Sequence, residues 1–133
     1  MSRAKRRIRK TDIRRLMRKA AASAKRYREI CGLLIDNGYF LQLREIRNVS
    51  RREASFLLGT REVNAVTRAA GKLDMVVVGT FHSHIAWYAK PGEGDINGAE
   101  EDSLMLILDP VDKEARLWRI KNGRAYALTF EAI

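Results

Sequence analysis

Both histidines of this 133-residue chain, His82 and His84, stand in one short run, GTFHSHIAWYAKPGEGD, with Ser83 between them and Asp95 eleven positions after His84. On an extended strand, residues two apart project to the same face, so the two imidazoles converge while Ser83 points away. Two imidazoles on one face form a chelating pair. Zinc prefers four tetrahedral nitrogen, oxygen or sulfur donors, and a catalytic zinc takes three from the protein and leaves one position for water. Asp95 follows a loop that can fold back to supply the third donor; Glu93 lies in the same loop, and spacing does not choose between them. A further carboxylate, Glu29, directly precedes the apolar run ICGLLI and so belongs at the mouth of a sheet. A charge there has to be solvated, paired or in use. Beside an activated water, a carboxylate is the group that takes a proton during attack and passes it to the leaving nitrogen.

These side chains need elements to hold them. MVVVGTF, residues 75–81, is a β-branched apolar run too short for most helices, and it predicts a central strand delivering the histidines at its carboxyl end. Periodicity then stops, and Pro91, Gly92 and Gly94 mark residues 85–94 as a loop. Upstream, Ile13, Leu16, Met17, Ala20, Ala21, Ala24 and Tyr27 recur at helical spacing and predict an amphipathic helix with Thr11 as N-cap and this whole stripe packed inward. ICGLLI reads as a buried strand that turns through Asp36, Asn37 and Gly38 into YFLQLREI, an antiparallel hairpin. Residues 50–58 show no clear period. Val63, Val66, Ala69 and Ala70 predict a second helix over 60–70, stopping near Gly71. SLMLILD, EARLWRI and RAYALTF complete the chain as three strands. The expected fold is mixed α/β, a largely antiparallel sheet flanked by helices.

Composition sets bounds. The length suits one domain with a real core, and the expected organisation is a basic N-terminal tail over 1–10 followed by a single domain over 11–133. One cysteine, Cys31, excludes an internal disulfide framework and reads as a small core residue; with no long apolar run, the chain is expected to be soluble and cytoplasmic. The net charge of +10 is uneven: residues 1–28 hold 13 Lys or Arg against Asp12 alone, and the remainder is close to neutral. Such a segment suits an acidic partner or nucleic acid, although no zinc-finger spacing or RNA-binding aromatic motif accompanies it.

Taken together, EICGLL (Glu29, Cys31, Gly32, Leu33, Leu34), the HSH of His82, Ser83 and His84, and Asp95 at its interval resemble the JAB/MPN/Mov34 (JAMM) zinc metallopeptidases of prokaryotic stand-alone type. The resemblance runs from about residue 23 to the C-terminus. It implies a JAB/MPN, cytidine-deaminase-like fold, Zn2+ held by His82, His84 and Asp95, and Glu29 as general acid/base. It further implies hydrolysis of an amide or isopeptide bond after the C-terminal tail of a ubiquitin-like or sulfur-carrier-like protein, a deubiquitinase-like activity. The alternative within the family is a non-catalytic MPN-type interaction scaffold. Two positions depart from its pattern: Gly92 stands where the family has a serine that helps stabilise the oxyanion, and Ile85 replaces a proline. Gly92, Ser83 and Trp87 are therefore the candidate oxyanion and substrate-loop residues, with Lys90 a further candidate donor.

Overall fold

The computed structural model describes residues 5–133; the first four residues of the basic segment lie outside the described residues. The elements run β1 (Arg6–Ile8), α1 (Lys10–Ala24), β2 (Cys31–Asp36), β3 (Leu41–Ile46), α2 (Thr60–Lys72), β4 (Val76–Ser83), α3 (Glu93–Gly98), β5 (Ser103–Asp109), β6 (Glu114–Lys121), β7 (Arg124–Leu128) and β8 (Phe130–Ala132). Six strands form one sheet in the order β3-β2-β4-β5-β6-β7, in which only the β4–β5 pair is parallel. The fold is the expected mixed α/β arrangement, with helices on both faces.

Strand alternation sorts the core into two sides. Leu34, Phe81, Leu106 and Leu108 face α1 and meet its buried Leu16 and Ala20. On the other face, Leu33, Ile35 and Ile46 meet Ala70, Val63 and Val66 of α2, while Met105, Ile107, Trp118 and Ile120 are covered by Ala89 and by Ile96 of α3. Between α2 and α3 this second face stays open as a cleft. Gly32 lets β2, β3 and β4 approach: a Cβ there would overlap the Arg44 carbonyl and the Phe81 ring.

Several boundaries differ from the sequence expectation. Arg6–Ile8, expected in the tail, pair in parallel with β8, and Ile8 is fully buried among the α1-side residues. The chain end responsible is the last strand of the sequence reading, which breaks after Leu128 so that residues 130–132 reach β1. Helix α1 begins after Arg9, leaving Thr11 in the first turn; no side chain caps it, but the buried Asp12 lies near the positive end of the helix and accepts from Arg9 Nε at 2.8 Å. Two residues of the expected inward stripe do not pack inward: Ala21 is exposed on the helix, and Tyr27 lies past the helix end and is 60% exposed. Part of the predicted loop, from Glu93 onward, is the short helix α3.

Candidate active site

β4 is central, so its carboxyl end meets the start of β2: Cys31 lies opposite His82. The strand direction continues one residue further, where His84 N–H donates to the Leu108 carbonyl at 2.9 Å. His82 and His84 consequently share a face, and their Nε2 atoms lie 3.2 Å apart. Asp95 arrives from the first turn of α3, where its Oδ2 accepts the Gly92 N–H at 2.9 Å, the reciprocal half of a helix-capping arrangement. The same oxygen lies 3.2 Å from His82 Nε2 and 3.3 Å from His84 Nε2. Glu93, the other carboxylate the spacing allowed, is exposed and outside this group of donors.

The hydrogen bonds fix one tautomer. His84 Nδ1 stands 2.6 Å from the Tyr88 carbonyl, an acceptor, so Nδ1 carries the proton and the Nε2 lone pair faces Asp95 and His82. His82 stacks against Phe56 at 4.3 Å between centroids and 19° between planes, while its buried Nδ1 finds no partner among the described residues. Burial lowers the His82 pKa, against the pull of Asp95. Burial also opposes charge on His84, but the hydrogen bonds to Asp95 and the Tyr88 carbonyl outweigh it and raise that pKa. Asp95 experiences the same burial, which the two histidines and the Gly92 N–H overcome, holding its carboxyl well below the usual range.

Glu29 lines the same cleft and is buried. Burial, with Asp95 adding and His84 opposing, pushes its pKa up from 4.5 to about 7. The backbone of Glu29 and Ile30 is held from both sides. Ser83 N–H donates to the Ile30 carbonyl at 3.0 Å and Ser83 Oγ accepts the Ile30 N–H at 2.9 Å. Asn48 Nδ2 donates to the Glu29 carbonyl at 2.9 Å. Asn48 also ties down the following loop, donating to the Ser55 carbonyl and accepting from Ser50 and Leu57 N–H.

Of the candidate loop residues, Ser83 is 1% exposed and engaged with Ile30, so its hydroxyl braces the Glu29 segment and does not face the cleft. The Gly92 N–H is committed to Asp95. Trp87 does line the cleft: it is half exposed and tilted against His84 at 5.3 Å. The loop's anchor is Trp118, whose Nε1 donates to the Ala89 carbonyl at 2.8 Å. Lys90 is exposed and not among the cleft-lining residues. Cys31 is buried with its pKa pushed up to about 12 by burial and by neighbouring carboxylates, so it is an inert thiol. Phe56 and Asn48 had no signal in the sequence, because the loop that carries them has no hydrophobic period.

The cleft has a volume of about 1410 Å³. Residues 10–121 match the family model for prokaryotic homologues of the JAB domain. The chain belongs to this family. Helix α1, the Glu29 turn, the histidine strand and α3 of this JAB domain all fall inside the matched range. The chain is 29% identical over 91 residues to a desampylase of Pyrococcus furiosus, an alignment covering 68% of this chain and 65% of that protein. Among solved structures it resembles a protein from Desulfitobacterium hafniense at a TM-score of 0.78 and 21% identity, covering 96% of this chain and 90% of that one. A JAB1/MPN domain protein from Archaeoglobus fulgidus aligns at a TM-score of 0.62 and 15% identity over 98% and 99% of the two chains. A protein described as having a metalloprotease-like JAMM zinc site aligns at 0.59 and 12% identity, over 98% and 99%. The fold is therefore that of the JAB/MPN domains.

Proposed function

We propose that this JAB domain is a zinc-dependent isopeptidase that hydrolyses an amide bond at the C-terminal tail of a ubiquitin-like protein. The reading is carried by one observation: His82 Nε2, His84 Nε2 and Asp95 Oδ2 form a triangle with sides of 3.2 to 3.3 Å. Donors around a tetrahedral zinc at about 2.05 Å stand about 3.3 Å apart, so this set fits the ion. Two imidazoles and a carboxylate, each offering one donor atom to the same point, are a donor set that zinc accepts. The similarity to a desampylase supports the reaction class.

When bound, zinc supplies a Lewis acid that polarises the scissile carbonyl and makes water nucleophilic near neutral pH. Glu29, lining the same cleft, would accept the proton of the attacking water and return it to the leaving nitrogen. Phe56 packs on His82 and the Tyr88 carbonyl holds His84, which fixes both rings before substrate arrives. The open cleft between α2 and α3 accepts the tail in extended form, held through its backbone.

The experiment is incubation of zinc-loaded protein with ubiquitin-like fusions, with and without chelator. Cleavage that stops with chelator is expected. Zinc bound at one equivalent with no cleavage of any such fusion would favour the scaffold reading instead.

A further inference from the structure

Helix α1 ends in a Schellman motif: Arg28 N–H donates to the Ser23 carbonyl at 3.1 Å and Tyr27 N–H to the Ala24 carbonyl at 2.9 Å. This places Tyr27 at the position where glycine is favoured, and its φ is +56°. α2 ends in the same way, with Met75 N–H on the Ala70 carbonyl and Asp74 at φ +57°. An aspartate tolerates that conformation because its short side chain bonds locally; a tyrosine has no such relief. Every other non-glycine residue with positive φ among the described residues is an Ala, Asp, Asn or Lys, which leaves Tyr27 the one bulky aromatic ring held there.

The ring does not earn its place by packing, since Tyr27 is 60% exposed. It stands two residues before Glu29 and lines the same cleft. Its carbonyl accepts the N–H of Ala54 at 3.2 Å, and Ala54, at φ +51°, also lines the cleft. That loop goes on to present Leu57, 57% exposed, to the cleft as well. The left-handed Tyr27 and Ala54 are thus bonded to each other, and Tyr27 and Leu57 both line the cleft with their side chains exposed, beside the charged Arg6 and Glu53. Strained backbone with exposed apolar groups beside a reactive centre is the pattern of a binding rim.

We propose that Tyr27 is a substrate-contacting residue, its ring forming with Leu57 an apolar rim that grips an apolar side chain of the bound tail. The proposal rests on the isopeptidase reading, and it makes stability and activity move apart. Tyr27→Gly relieves the left-handed backbone, so its Tm is expected to equal or exceed that of the wild type. On a tail fusion carrying a leucine upstream of the scissile bond, its kcat/KM should fall roughly tenfold, mostly through KM. Tyr27→Phe should keep most of the activity, and replacing the tail leucine by serine should erase the difference between wild type and Tyr27→Gly. The same contrast should appear in the Kd of the tail peptide for the Glu29→Gln protein, read by calorimetry. A Tyr27→Gly protein within twofold of wild type, or one whose activity falls only as its Tm collapses, overturns the proposal. Failure of the isopeptidase reading looks different: the wild type itself neither cleaves nor binds any tail.

Discussion

At the scale of single residues, the candidate centre assigns opposite consequences to neighbouring substitutions. Glu29→Gln preserves volume and leaves the three converging donors untouched, so zinc content should stay at one equivalent while kcat drops at least ~100-fold. His82→Ala or Asp95→Ala removes a donor, and metal analysis after dialysis should find the ion lost. Gly92→Ser tests the departure from the family pattern. A Cβ at Gly92 would sit 3.4 Å from Trp87 Cζ3 and 3.7 Å from Asp95 Oδ2, ordinary contacts, so the variant should fold and should raise kcat if a hydroxyl at this point stabilises the oxyanion. In metal-free protein Glu29 also leaves a pH signature. Its folded pKa of about 7 exceeds the ordinary value of 4.5, so the folded state binds more protons between those values. Stability relative to Glu29→Gln should therefore fall as pH rises from about 5 to 8, by up to roughly 3 kcal/mol in denaturant titrations. His82, His84, Asp95 and Glu29 stood out in the sequence because imidazoles and carboxylates are rare beside apolar strands and their spacing restricts which faces they share. Ser83 shows the limit of that reading, since its alternation away from the histidines was visible but its bond to Ile30 was not.

At the scale of elements, the strands were legible wherever burial imposes a period. MVVVGTF became β4, and the ICGLLI hairpin became β2 and β3 with the expected antiparallel pairing. Short elements held by tertiary partners were not. β1 and β8 have three residues each and exist because they pair with one another across nearly the whole sequence. α3 contains two glycines and owes its first turn to the Asp95 side chain, which no hydrophobic period reports. The loop after β3 was illegible for a related reason: its order comes from the amide of Asn48, which satisfies backbone groups of Glu29, Ser50, Ser55 and Leu57. Asn48→Ala leaves several of these unpaired and should cost about 2 kcal/mol in chemical denaturation. Amide exchange should accelerate across residues 48–58, and kcat should fall with it because Glu29 and Phe56 lose their common support.

For the molecule as a whole, much of the basic charge lies on and beside α1, while Arg6 and Tyr27 of the same segment line the cleft. The apolar side of α1 is consumed by the core, and Arg14, Arg18, Lys25 and Arg26 remain exposed. No helix of the described residues is long and apolar enough to cross a membrane. Nucleic acid bound to this basic surface should be released steeply with rising salt and should be insensitive to substitution of His82, His84 or Asp95. The catalytic claim depends on the other surface, where a strand tip, a short helix and the turn before β2 bring four side chains together. Its most direct measurement is the turnover of a ubiquitin-like fusion by wild type and Glu29→Gln, each verified to carry one equivalent of zinc. The account predicts cleavage at the tail by the wild type and almost none by the variant; equal rates from the two zinc-loaded proteins would contradict it.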